Sequence, residues 1–238
     1  MRIILQMYKE IPLFAYIWRA NRIDMTRLIV FDFDGTLGDT KENIVKTMQE
    51  TMRRMGYPVP EADAIASTIG LPLKTGFEIL NPGISPERCL ECATLYRIVF
   101  DEYKAMLKPQ AFPGVKQSLA KLKARGIDMC VASSRLSVSL DAFVRDMGLG
   151  EYVSYVLGVD SQRRPKPNPD PVLQCLEHFG VPASETLVVG DMPVDIQMGA
   201  AAGCRTCGVT WGNATHEQLA ASGADYIIDK MGQLPAIL

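Results

Sequence analysis

The sequence predicts an α/β protein: a parallel sheet with helices on both faces, interrupted by an all-helical insert. Three observations predict it. Leu28-Ile29-Val30-Phe31 is an uninterrupted apolar run, as in a strand buried on both faces of a parallel sheet. Between Thr40 and Leu107 apolar residues recur at helical spacing and no strand pattern intervenes. From Val115 onward helical and strand patterns alternate, as in successive βα units. A chain of 238 residues can bury one substantial core and a smaller insert.

Composition narrows the function classes. With 47% hydrophobic residues, 22% charged residues and a formal net charge of −2, the chain has no basic footprint for nucleic acid and no charged face for a membrane. No run approaches a membrane span. The six cysteines form two Cys-x-x-Cys pairs, Cys89/Cys92 and Cys204/Cys207, plus Cys130 and Cys175. The first pair falls in a helical pattern and the second at the start of a strand pattern. Neither has the turn context of a zinc knuckle, so reduced, buried thiols in a cytosolic enzyme are expected.

Residues 1–24 differ in pattern from the rest of the chain. Ile11–Trp18 is apolar but short, Arg19 and Arg22 come after it, and no small-residue cleavage site is present, so a secretory signal is not expected. After the first strand, Asp32 and Asp34 are two residues apart, so both leave the same face. Like charges so placed repel and push their pKa values up unless a cation lies between them. Gly35 then permits a sharp turn. In the insert, Ile44, Met48, Met52 and Met55 line one helical face that ends at Gly56. A short segment near Glu61–Ser67 and the turn Gly70-Leu71-Pro72 come next, and a long helix opens at Ser85-Pro86-Glu87 and runs towards Met106. About four helices are expected here, with Lys108–Gly114 as the return linker.

The second half then reads as a helix lined by Val115, Leu119 and Leu122, a strand at Ile127–Ala132, and a helix at Ser137–Met147. A strand at Tyr152–Leu157 precedes a helix at Pro171–Phe179, opened by Asp170 and with Asn168 or Asp170 as its cap. A strand at Thr186–Val189, a helix at Pro193–Ala202, a strand at Cys204–Val209, the segment Thr215–Ala221 and a strand at Tyr226–Ile228 complete the series. The whole is a Rossmann-like, three-layer α/β/α core, in which ligands sit beyond the carboxyl ends of the strands.

Candidate chemistry falls at those ends. Ser133, Ser134 and Arg135 come directly after the strand at Ile127–Ala132, where a hydroxyl and turn N–H groups can hold phosphate oxygens. Lys166 lies in Arg163-Arg164-Pro165-Lys166-Pro167-Asn168-Pro169, where prolines restrict where its ammonium points, whereas Arg163 and Arg164 read as a solvated basic loop. Gly190-Asp191 comes after the strand at Thr186–Val189, and Asp195 lies four residues on, one helical turn away. Together with Asp32 and Asp34 these acids suit a hard, oxygen-loving cation.

The run Asp32-Phe33-Asp34-Gly35-Thr36-Leu37-Gly38-Asp39-Thr40 resembles the first motif of the haloacid dehalogenase superfamily, and Ser133, the Lys-Pro-x-Pro setting of Lys166 and Gly190-Asp191-x-x-x-Asp195 resemble its other three in order. The resemblance covers about residues 25–238 and is nearest to the phosphoglycolate phosphatase-like branch, which Gly208-Val209-Thr210-Trp211-Gly212 also resembles. Ser134 departs from the Asn that many relatives carry. The resemblance implies a catalytic core of residues 25–40 and 108–238, a helical cap of residues 41–107, and a start near Met25, with 1–24 an over-extended start or a loosely attached helix. It implies Asp32 as nucleophile, Asp34 as acid and base, and Ser133 and Lys166 as stabilisers of phosphate oxygens. Mg²⁺ would bind Asp32, the main-chain carbonyl of Asp34, and Asp191, with Asp195 in support.

Gly35, Ser134, Arg135 and Lys74 form the candidate substrate-binding set, the last two for the substrate's remote end. The implied activity is Mg²⁺-dependent hydrolysis of a small phosphomonoester, phosphoglycolate-like or a sugar phosphate, through an aspartyl-phosphate. A phosphosugar mutase on the same scaffold is the alternative; a dehalogenase or a non-catalytic binding protein fits less well. The implied partner is a small phosphorylated metabolite, with no nucleic acid and no membrane, in a cytoplasmic monomer or homodimer.

Overall fold

The computed structural model describes residues 26–238; the expectations for residues 1–24 and for a start at Met25 lie outside the described residues. The first strand, β1 (Leu28–Phe31), is buried along its whole length, as its apolar run requires. It pairs in parallel with β4 (Asp128–Ala132) on one side and β6 (Thr186–Gly190) on the other. Adding β5 (Tyr155–Leu157), β7 (Arg205–Val209) and β8 (Tyr226–Ile228) gives a six-stranded parallel sheet in the order β5-β4-β1-β6-β7-β8. The chain builds outward from β1 to β5, then crosses back to β6 and builds the other way. The switch point is therefore β1, where such sheets open a ligand crevice.

Side-chain alternation divides the core in two. Ile29, Phe31 and Phe33 pack with Leu119 and Leu122 of α5 (Val115–Ala124) and Phe143 of α6 (Ser137–Asp146). Leu28 and Val30 face the opposite layer, with Val172 and Cys175 of α7 (Asp170–Phe179) and Met198 of α8 (Pro193–Ala201). The helix α9 (His216–Ala221) completes the core, with Thr215 as its cap.

Between β1 and α5 the chain forms four helices, α1 (Lys41–Arg54), α2 (Ala62–Ala66), α3 (Leu73–Leu80) and α4 (Pro86–Leu107). They share a core of their own that includes Met48, Met52, Ile65, Phe77, Cys89 and Cys92. The stems of the insert are joined by an antiparallel pair of two-residue strands, β2 (Gly38–Asp39) and β3 (Gln110–Ala111). Ser85 caps α4 by accepting from the Arg88 N–H, with Pro86 in the first turn, as its sequence indicates.

Two expectations about the elements are corrected. The fifth strand begins at Tyr155 rather than Tyr152. Neither Asn168 nor Asp170 caps α7: Pro169 holds the cap position, the Asn168 amide donates to the Pro165 carbonyl, and Asp170 takes the Arg164 guanidinium at 2.7 Å. All six cysteines are buried and unbridged, and among the described residues the cluster able to hold an ion consists of aspartates alone.

Candidate active site

Asp32 is the first residue past β1, and its N–H donates to the Val189 carbonyl at 2.8 Å, extending the ladder by one step. Phe31 is level with both Val131 and Val189, so the residues after β4 and β6 reach the same edge. Lys166, wholly enclosed, donates to Asp32 Oδ1 at 2.5 Å and to Asp195 Oδ1 at 2.7 Å. Asp195 lies in the first turn of α8, where the helix dipole favours an acid, and its Oδ2 accepts from the Met192 N–H at 3.1 Å. Asp191 Oδ2 accepts from both the main-chain and side-chain N–H groups of Asn213, each at 2.8 Å. Thr36 Oγ1 lies 3.5 Å from its other oxygen.

One carboxylate oxygen from each of Asp32, Asp191 and Asp195 lies within 4.8 Å of the others, all three residues being buried. Three acids thus face one ammonium. Burial pushes the Asp32 carboxyl up to about 7, Lys166 opposes that shift, and Asp195 and Asp34 add to it. Burial likewise holds Asp191 well above its ordinary range, reinforced by Asp32 and Asp195, with Asn213 opposing. For Lys166 burial acts downward, but Asp195 and Asp32 outweigh it and hold the ammonium above its ordinary value. Asp32 Oδ2 is buried with no hydrogen-bond partner among the described residues. An orphaned oxygen in a crowded all-oxygen cluster fits a hard divalent cation such as Mg²⁺.

Asp34 is turned to a different task. Its carboxylate accepts from Thr40 Oγ1 at 2.5 Å and from Arg135 Nε, 2.7 Å from Oδ2, so its side chain is absent from the three-acid cluster. Gly35 comes next at φ +86°, and a Cβ there would run into the Asp191 carboxylate and the Asn213 amide. Only glycine permits this approach. Ser133 is buried after β4; its Oγ accepts from the Arg135 N–H at 3.2 Å, and its carbonyl accepts from Gln162 Nε2 at 2.8 Å. Ser134 Oγ donates to the Gly70 carbonyl at 2.6 Å and so ties the insert to the core. The Arg135 guanidinium packs against both the Phe100 and Phe143 rings, 4.7 and 4.6 Å from their centroids.

A cavity of about 450 Å³ lies between insert and core, lined by Asp34, Ser134 and Arg135 from one side and by Ile44, Met48 and Phe100 from the other. Lys74 is not brought to this site. It is exposed on α3, 3.7 Å from Glu78 one helical turn on, because its neighbour Leu73 takes the inward position. Sequence reasoning missed Asn213, Thr36, Thr40 and Gln162 as supporting groups. Asn213 had a signal, since it lies in the loop after β7 at the same edge of the sheet; Gln162 had none.

The fold and the site together define an α/β enzyme with a carboxylate cluster at the switch point of its sheet. The profile of the haloacid dehalogenase-like hydrolases matches residues 29–209. The chain belongs to that family. It is 38% identical over 215 residues to the protein named probable phosphatase IndB of Dickeya dadantii, covering 88% of this chain and 92% of that one. The pyrophosphatase PpaX of Bacillus velezensis is 31% identical over 87% of this chain and 93% of its own. A phosphoglycolate phosphatase of Vibrio parahaemolyticus is 29% identical, with 87% and 94% covered. A crystal structure of a haloacid dehalogenase-like hydrolase from Bacteroides fragilis superposes with a TM-score of 0.83 at 30% identity, covering 88% of this chain and 99% of that one. Among the described residues no helix is long and apolar enough to cross a membrane.

Proposed function

We propose that this protein is a Mg²⁺-dependent phosphatase acting on a small phosphorylated metabolite through an aspartyl-phosphate on Asp32. The observation that carries the reading is the buried, unpartnered Asp32 Oδ2, whose twin oxygen is held by Lys166. One oxygen of this carboxylate attacks phosphorus while the other stays with the cation site, so one hard displacement becomes two easier ones. Lys166 and Ser133 meet the phosphoryl oxygens, whose transition state needs mainly positioning and charge. Asp34 protonates the leaving oxygen and later takes a proton from the attacking water; Thr40 and Arg135 aim its carboxylate. Asp32, Asp191, Asp195 and the Asp34 carbonyl would hold Mg²⁺, which when bound supplies the positive charge that lets an anionic carboxylate approach an anionic phosphate. The phosphatase names of relatives matched along most of their length support the same reading. Six unbridged, buried cysteines support a cytoplasmic setting.

The test is phosphate release from a panel of phosphomonoesters with Mg²⁺ and with EDTA, for the parent and for Asp32→Asn. The substitution is expected to lower kcat by about 10³-fold or more. Persistence of phosphate release would remove Asp32 as nucleophile. Isomerised sugar phosphate in place of free phosphate would identify a mutase instead.

A further inference from the structure

We infer that the natural leaving group is bulky and largely apolar, seated in the cavity between insert and core, with an oxygen acceptor against Arg135. The inference rests on the phosphatase reading for the position of the phosphorus, and it sharpens the substrate of that site. The cavity of about 450 Å³ adjoins Asp34, the group that would hand a proton to the leaving oxygen. Its volume corresponds to roughly fifteen waters at about 30 Å³ each. The leaving group of phosphoglycolate or of pyrophosphate is a few atoms and anionic, so either would leave most of the space as water against apolar walls.

Those walls come from both halves of the chain. Ile44, Met48, Leu71, Tyr96, Phe100 and Leu136 line the cavity, whereas α4 also contributes the exposed Arg97 and Asp101 and the half-buried Lys104, the last paired with Asp146 at 3.4 Å. Val138, 76% exposed, also borders it and leaves it open to solvent. A mostly apolar wall with a few placed polar groups, here Asp34, Thr68 and Arg135, is the lining of a site for a largely apolar small molecule.

Arg135 adds the polar requirement. Its side chain is 10% exposed, its Nε is committed to Asp34, and its guanidinium packs against the rings of Phe100 and Phe143. Its Nη2 is buried and has no hydrogen-bond partner among the described residues. A buried donor without an acceptor is costly, and a carbonyl, ether or hydroxyl oxygen on the occupant would satisfy it. The combination defines the class: a phosphomonoester of an alcohol carrying a ring-sized apolar body and at least one oxygen acceptor.

The experiment compares kcat/KM, with Mg²⁺, for 2-phenylethyl phosphate, ethyl phosphate and phosphoglycolate. The first two release alcohols of similar acidity, so a difference between them reports the cavity rather than leaving-group chemistry. 2-Phenylethyl phosphate is expected to exceed each of the others by tenfold or more. Val138→Trp, which narrows the mouth, is expected to cut kcat/KM for 2-phenylethyl phosphate by much more than for ethyl phosphate, so that the ratio between them falls towards one; an unchanged ratio would count against the cavity as the seat of the leaving group. Binding of 2-phenylethylphosphonate against ethylphosphonate, which needs no turnover, is read by calorimetry in parallel. Tighter binding of the phenyl compound without hydrolysis of any ester would sustain the inference about the cavity and defeat the phosphatase reading. Hydrolysis with equal or reversed preference, matched by equal phosphonate binding, would sustain the phosphatase and overturn the apolar leaving group.

Discussion

At the scale of single residues, the site is a problem of excess negative charge, met by one lysine and by an arrangement of oxygens suited to a cation. Lys166 is shared between Asp32 and Asp195, and Asp191 relies on neutral donors from Asn213. Consequently Asp32 is pushed up to about 7, by burial first and by the charges of Asp195 and Asp34 against the opposing Lys166, and Asp191 is held well above its ordinary value of 3.8, by burial first and by the charges of Asp32 and Asp195. Such acids bind a proton more tightly folded than unfolded. The contribution of Asp32 to stability is therefore fullest below about pH 4 and is lost as pH rises through about 7, and Asp191 acts in the same direction. Lys166, held above its ordinary value, stays charged across that window. A divalent cation reverses the balance, because it binds the ionised acids and competes with their protons. The rise in Tm on adding Mg²⁺ should be several degrees larger at pH 8 than at pH 5.5, measured by calorimetry with EDTA as the reference. A rise that is equal or larger at pH 5.5 would show that these carboxylates are not the ligands.

At the scale of elements, the strand ends and the glycines beside them determine where those residues stand. Gly190 closes β6, and a Cβ there would intrude on the Asp195 side chain at the start of α8. Its backbone is not in the left-handed region, so Gly190→Ala strains the neighbour and not the strand. The variant should remain folded yet lose about 10- to 100-fold in Mg²⁺ affinity, the usual penalty for displacing a group that supports a metal ligand. Calorimetric Mg²⁺ titration alongside thermal unfolding checks this; unchanged affinity would mean Asp195 can move without consequence. Much of this layer was legible in the sequence, since β1, β4 and β6 are mostly apolar runs with Asp32, Ser133 and Asp191 directly after them. What was not legible had no local cause. The pair β2–β3 consists of two residues on each side and exists because the insert must leave and return at one point. Asp170 looks like a helix cap but answers to Arg164, a tertiary contact that composition cannot announce. Asp34 and Asp32 share a strand face on paper, whereas the turn at Gly35 and the pull of Arg135 send them to separate duties.

At the scale of the whole molecule, insert and core have separate apolar clusters, and their coupling runs through aromatic rings. Phe77 meets Tyr96 edge-on at 6.3 Å, Tyr96 stacks on Phe100 at 6.0 Å, Phe100 meets Phe143 at 6.0 Å, and Phe143 reaches Phe33 at 5.7 Å. Phe33 lies between Asp32 and Asp34, so this seam links the core of the insert to the stretch that carries both carboxylates. Phe100 is its hinge point: it is 5% exposed, belongs to α4, and packs against the guanidinium that holds Asp34. Phe100→Ala removes a buried ring, for about 3–5 kcal/mol of stability. For a chain of this length that corresponds to a fall in Tm of roughly 6–20 °C. Lost packing alone would leave the turnover of the surviving folded fraction unchanged. With Arg135 left without that ring, its grip on Asp34 loosens, and kcat per folded molecule should fall about tenfold or more, most in the step that needs a proton at the leaving oxygen. Esters of poorly acidic alcohols should therefore suffer more than aryl esters, which leave without that proton. Equal losses on both ester classes would mean that the seam holds the two halves together without positioning Asp34.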